Sequence, residues 1–163
     1  MPHKNDKLHQ LNVTYSGTED RLLLRASTRH GDEYRVWLTR RFTAMLLNIM
    51  IKEMDKYGGS AALGANPRTR ALFKSGAMEK AYEGDKTTNF PLGKNGFLAY
   101  TIKTTKMPDG NLHLEILPKK GKGVSVNLDK QLLYMFHNLL TQGIARAEWH
   151  LVSSQEPQSG RVH

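Results

Sequence analysis

The sequence predicts an α+β fold: two pseudo-symmetric antiparallel β-meander-plus-helix repeats packed as one domain, with a helical insert between them. Three observations predict it. Residues 22–50 align with residues 112–140 at a constant offset of 90, with seven of the 29 positions identical: Leu22/Leu112, Leu24/Leu114, Gly31/Gly121, Val36/Val126, Leu38/Leu128, Met45/Met135 and Asn48/Asn138. Chance composition would give about two. In both copies Leu-x-Leu alternation, a glycine turn and a second alternating run lead into an amphipathic stretch, the order of strand, turn, strand and helix. At 163 residues the chain also has the common size of a single domain able to bury a core.

The first repeat spans about 8–57. Leu11, Val13 and Tyr15 alternate with Gln10, Asn12 and Thr14, which predicts a strand, and Ser16–Asp20 supplies turn chemistry. A second strand over 21–29 places Leu22, Leu24 and Ala26 on one face and Arg21, Leu23, Arg25 and Arg29 on the other. His30-Gly31-Asp32 turns the chain into Glu33–Leu38, with Tyr34, Val36 and Leu38 inward and Arg35 and Trp37 outward. Thr39 is placed to cap a helix, since its hydroxyl can accept from a free N–H of the first turn. That helix runs to about Tyr57, with Phe42, Met45, Leu46, Ile49 and Met54 on one face, and Gly58-Gly59 ends it.

The insert, about 58–95, opens a helix at Asn66-Pro67, an N-cap followed by proline at the first helical position. Its glycines and its balance of six Lys/Arg to three Asp/Glu predict a mobile basic flap beside the sheet. The alternative is a static strap burying Leu72, Phe73 and Tyr82 against the helices.

The second repeat spans about 96–151. Phe97–Thr105 reads as a strand, Met107–Gly110 as a hairpin turn, and Asn111–Leu117 and Val124–Leu128 as two more strands about the basic turn Lys119–Gly123. Asp129 caps a helix to about Ala147, where Leu128 and Leu133 fit a hydrophobic staple. Trp149 and Leu151 suggest a short final strand, and the polar tail 153–163 is expected to be disordered. Leu22, Leu24, Val36, Leu38, Met45, Leu46, Leu112, Leu114, Val126, Leu128, Met135 and Phe136 are expected to form the core.

The chain contains no cysteine, which excludes disulfides, Cys-ligated metal and a thiol nucleophile. Its seven histidines show no H-x-H or H-x-x-x-H spacing, and neither a phosphate-binding loop nor a nucleophile elbow is present. The expectation is therefore a non-enzymatic protein with no cofactor and no metal. No apolar run reaches membrane length and the N-terminus lacks signal-peptide character, so the expected location is cytoplasmic with no membrane partner.

The net charge is +9, divided as +3 in each of residues 1–57, 58–95 and 96–163. A basic excess spread over a folded surface attracts polyanions. Arg21, Arg25, Arg29 and Arg35 share the outer face of adjacent strands with Trp37, an aromatic inside a guanidinium cluster. Single-stranded DNA or RNA suits that combination, because cations track phosphates while planar groups stack on bases without demanding sequence. Lys119, Lys120 and Lys122 would extend the track, and Arg68 and Arg70, with Lys74, would share a helical face of the insert. The equivalent face of the second repeat, Asn111, His113, Glu115, Ser125 and Asn127 with Phe97 and Lys103, is polar without being basic. Two other readings compete: an ordinary solvated face with Trp37 under arginine stems, or an interface in a homodimeric assembly module.

Two meanders each followed by one helix resemble the PUR repeat and the related Whirly domains, families that bind single-stranded nucleic acid. The resemblance covers about residues 8–57 and 96–151 and lies in the order of elements. Those families usually place four strands before the helix where three are read here. It implies the same sequence-tolerant binding through a sheet face. The stretches Glu19–Arg25 and Glu33–Phe42 also resemble proteobacterial proteins of no assigned activity.

Overall fold

The structure, a computed structural model, describes residues 8–59 and 82–151. Among these residues it is α+β, with two sheets and two long helices. Strands β1 (Leu8–Ser16), β2 (Arg21–Thr28) and β3 (Glu33–Leu38) form an antiparallel meander, followed by α1 (Arg40–Asp55). After the insert come β4 (Phe97–Leu98), β5 (Thr101–Lys106), β6 (Leu112–Leu117), β7 (Val124–Leu128) and α2 (Lys130–Ala147). The first sheet has the order β1-β2-β3-β4 and the second β5-β6-β7.

The strand register follows the apolar pattern, because a slip of one residue would turn every leucine to the wrong face. The five pairs from Leu22↔Leu38 to Ala26↔Tyr34 recur 90 residues on, from Leu112↔Leu128 to Ile116↔Val124. The first hairpins differ: Ser16↔Arg21 encloses residues 17–20, whereas Lys106↔Leu112 encloses 107–111. Both helices are capped as expected. Thr39 Oγ1 accepts from Phe42 N at 3.1 Å, and Asp129 Oδ1 accepts from Leu132 N at 2.8 Å.

One strand reading is corrected. Residues 97–105 do not form a single strand, because the chain changes sheets within them. Phe97 and Leu98 lie parallel to Val36 and Trp37, and Thr101–Lys106 then runs antiparallel to β6. Ala99 N still bonds Trp37 O and Tyr100 N already bonds Leu117 O, both at 2.9 Å. The sheets are thus joined by hydrogen-bonded backbone. Phe97 pairs beside inward-facing Val36 and packs against the core, so it is not part of the polar outer face of the second repeat.

Helix α2 lies over β1 and β2 and also meets β7 and α1, so the helix that follows the second sheet covers the first. Gly143 permits this approach: a Cβ there would lie 2.9 Å from Val13 Cγ1 and 3.2 Å from Leu22 Cδ2. Ten of the twelve expected core residues are buried. Met45 is not; it is 42% exposed, whereas Met135 at +90 is buried. The helices are unequally surrounded. α2 buries four consecutive residues, Leu133–Phe136, while α1 buries a narrower stripe through Phe42, Leu46, Met50 and Met54 that leaves Met45 to one side. Val126 is half-buried.

Two further differences are local. β2 stops at Thr28 rather than residue 29, because Thr28 turns the chain: its Oγ1 accepts from Asp32 N and its carbonyl from Gly31 N. No final strand forms at Trp149. Glu148 adopts a left-handed conformation (φ 56°) that ends α2 and sends Trp149 inward, edge-on to Tyr15 at 6.0 Å with its Nε1 donating to Asp20. The insert helix expected from Asn66-Pro67, with Leu72 and Phe73, and the tail from 153 lie outside the described residues. Among those residues no helix is long and apolar enough to cross a membrane.

Candidate nucleic-acid interface

The inward leucines of β2 and β3 dictate what points outward. Arg25 stands opposite Arg35, and Leu23 opposite Trp37, with Leu98 next in the row. Like charges directly opposed on a sheet repel. Each guanidinium is therefore held by its own partners. Arg25 donates from Nε and Nη2 to Asn12 Oδ1 at 3.2 and 2.9 Å, and its Cζ lies 4.4 Å from the Tyr82 ring centre. Arg35 donates from Nε to Glu33 Oε2 at 2.7 Å and from Nη1 to Lys94 O at 3.0 Å, with its Cζ 4.8 Å from the Phe90 ring centre. Cation–aromatic stacking favours flat guanidinium on a ring face, so Tyr82 and Phe90 cover Arg25 and Arg35.

Residues 82–96 thus run across this outer face as a strap anchored at several points. The carboxylate of Glu33, whose residue is only 1% exposed, accepts hydrogen bonds from Arg35, the Tyr82 hydroxyl and Thr87 Oγ1. Burial pushes its carboxyl up, but the bonds from Tyr82 and Arg35 and the nearby guanidinium charges outweigh that and hold it below the ordinary range. Burial and the Glu33 carboxylate in turn raise the Tyr82 hydroxyl strongly. Gln10 Oε1 accepts from Glu83 N, Asn89 pairs with Asp32, and Trp37 Nε1 donates to Asn95 O at 3.0 Å. Gly96 passes so close that a Cβ would lie 2.4 Å from Arg35 O, and its φ of +72° also demands glycine. Tyr82 therefore sits on the outer face of the sheet, not against the helices as the strap alternative had it.

A cleft of about 310 Å³ stays open beside the strap, lined by Glu19, Arg21, Leu23, Arg35, Trp37, Lys94 and Asn95. Beyond it Leu98 is 42% and Tyr100 61% exposed. The structure brings Arg21, Arg35 and Trp37 together in this cleft, where Arg21 faces Glu19 at 3.8 Å. Arg25 is adjacent but turned to Asn12 and Tyr82. Arg29 is separate: it lies exposed in the β2–β3 turn beside a polar cleft with His9, Lys86 and Thr87. Lys119, Lys120 and Lys122 sit in the β6–β7 loop of the other sheet and do not line the Trp37 cleft. Arg68 and Arg70 lie outside the described residues.

Lys94, Leu98 and Tyr100 are the site residues that sequence reasoning missed. Alternation of Phe97 and Ala99 with Leu98 and Tyr100 carries the outward phase of the last two. Nothing local places Lys94 beside Trp37, since that contact depends on the path of the strap. The second sheet differs in kind: His113 Nδ1 lies 2.6 Å from Asn127 Oδ1 across β6 and β7, with no guanidinium beside them on that strand pair. Among the described residues no three His, Asp or Glu side chains converge as metal ligands would. Comparison with family models, curated proteins and solved structures finds no match to this chain.

Proposed function

We propose that the protein binds single-stranded DNA or RNA without catalysis and with little sequence preference, through the outer face of the first sheet, and that its two meander-helix units are PUR/Whirly-like copies of one another. The observation that carries this reading is the cleft in which Trp37 lies among Arg21, Arg35 and Lys94, with Tyr100 exposed beyond it. A base stacked on an aromatic ring with its phosphate near two or three cations is the elementary unit of sequence-tolerant single-strand binding. Arg25 and Arg35 act mainly as supports in this scheme, since their partners are Asn12, Glu33 and the strap. Arg21 and Lys94 supply the phosphate contacts, and Trp37 supplies the stack.

Fluorescence anisotropy with a labelled mixed-sequence oligonucleotide, over a series of salt concentrations, tests this. Trp37→Ala is expected to weaken binding roughly five- to a hundredfold, corresponding to loss of one stacked base. Arg21→Ala and Lys94→Ala should each reduce the slope of log K against log salt by about 0.7, the value for one single-strand phosphate contact. Affinity and slope unchanged in all three variants would refute this interface.

Exposure of Leu98, which pairs beside Trp37, and of Tyr100 two residues on also favours a second reading, a homodimer interface. That reading expects Trp37→Ala to halve the mass seen by light scattering and to leave polyanion binding untouched.

A further inference from the structure

We propose that the space between the two sheets is a binding site for a single-chain amphiphile with an anionic head, of which a medium-chain carboxylate is the simplest member. Hydrogen-bonded backbone joins the sheets on the flank where the chain passes from β4 to β5. On the opposite flank no strand pair among the described residues connects β1 to β7. Leu8 of β1 and Val124 of β7 instead line a cavity of about 550 Å³ that opens there. This volume lies within the range of sites that take small organic ligands.

The lining specifies the ligand class. Leu24 and Ala26 face the cavity from the first sheet, Ile116 and Val126 from the second, and Phe136 from α2. Val126 packs against the core on one side and borders this space on the other, which leaves it half-buried. Ala26 is small where its counterpart at +90 is Ile116, so the first sheet leaves room that the second fills. Water is a poor occupant of an apolar slot, since it needs two or more polar partners. A flexible alkyl chain fits between two aliphatic walls, where each methylene it buries favours binding. Charge selects the head group: Lys122, exposed at the β6–β7 loop, lines the cavity together with Thr28, with no carboxylate among the lining residues. A carboxylate head meets a cation and a hydroxyl there.

Calorimetric titration of the full chain with dodecanoate, below its micellar concentration, tests the site. One saturable molecule per chain is expected. Ala26→Phe, which fills the slot from the first sheet, should weaken dodecanoate binding at least roughly tenfold. It should leave oligonucleotide binding unchanged, which keeps this site separable from the Trp37 cleft. Lys122→Glu should weaken dodecanoate roughly fivefold without altering the response to dodecanol, whose head is neutral. If Ala26→Phe does not fold, NMR shift mapping on the unaltered chain decides: shifts centred on Ile116, Val126 and Phe136 support the site. The absence of saturable binding, dodecanoate affinity unchanged in folded Ala26→Phe, or shifts confined to the outer surface would each overturn it.

Discussion

Glu33 offers the sharpest test of how the strap is held. Glu33→Ala removes a buried carboxylate that accepts from Arg35 Nε at 2.7 Å, from the Tyr82 hydroxyl and from Thr87 Oγ1 at 3.4 Å. Breaking a buried charged pair by deleting one partner costs about 3–5 kcal/mol, because the other charge is left uncompensated. Arg35 is 27% exposed in its side chain and keeps its bond to Lys94 O, so water can take over part of the lost interaction. The lower end, about 3 kcal/mol, is therefore expected, a fall in Tm of roughly 6–12 °C for a chain of this size. Glu33→Gln keeps the shape and loses the charge, and should fall between the two. Thermal unfolding measures the total effect, and hydrogen exchange locates it: amides of Thr87 to Gly96 should exchange faster in Glu33→Ala while those of α2 keep their order. The pH dependence follows from the lowered carboxyl. A group whose folded pKa lies below its unfolded value stabilises above the ordinary carboxylate range, and that contribution is lost as pH falls through the folded pKa. The gap in Tm between parent and Glu33→Ala should thus narrow on acidification. A variant within about 1 kcal/mol of the parent at neutral pH, with unchanged exchange over the strap, would show that the network does not hold it.

Three other predictions follow from single contacts. Gly96→Ala should destabilise by more than the usual ~1 kcal/mol of a backbone misfit, because both its positive φ and the nearby Arg35 carbonyl oppose a side chain; denaturant titration gives the value. Asp129→Ala removes the cap from α2 and should cost about 1 kcal/mol, and an unchanged midpoint would count against the Leu132 N–H bond. Burial lowers the pKa of His137, so the folded state resists its protonation. Parent stability should therefore fall as pH drops through the ordinary histidine range, and His137→Gln should flatten that limb in urea titrations between pH 7.5 and 5.5, values bracketing the unperturbed histidine pKa of about 6.5.

Much of the fold was legible because its determinants are local. Alternation fixed which faces of β2, β3, β6 and β7 turn inward, and Thr39 and Asp129 marked both helix starts through a contact only three residues long. What escaped depends on distant segments. The Tyr82–Glu33 bond joins positions 49 apart and the Trp37–Asn95 bond positions 58 apart, so neither leaves a periodic trace. Met45 was misplaced for the same reason. Its position on an apolar helix face was readable, but the unequal surroundings of α1 and α2 come from packing. At the candidate site, the outward phase of Arg21, Arg35 and Trp37 was readable. The capture of Arg25 by Asn12 and Tyr82, and the separation of Arg29 from the cleft, were not.

The placement of α2 over β1 and β2 also has a consequence in time. During synthesis the inner leucines of the first meander are complete at Leu38, yet the helix that covers Leu22 begins only at Lys130. At ordinary translation rates of about 5–20 residues per second, the nascent chain carries an uncovered apolar sheet for roughly 5–20 s. β4, the parallel fourth strand of that sheet, also comes late, since it waits for Phe97 and Leu98. The N-terminal half therefore emerges from the ribosome as an incomplete layer, open to aggregation and to chaperones, until α2 closes over it.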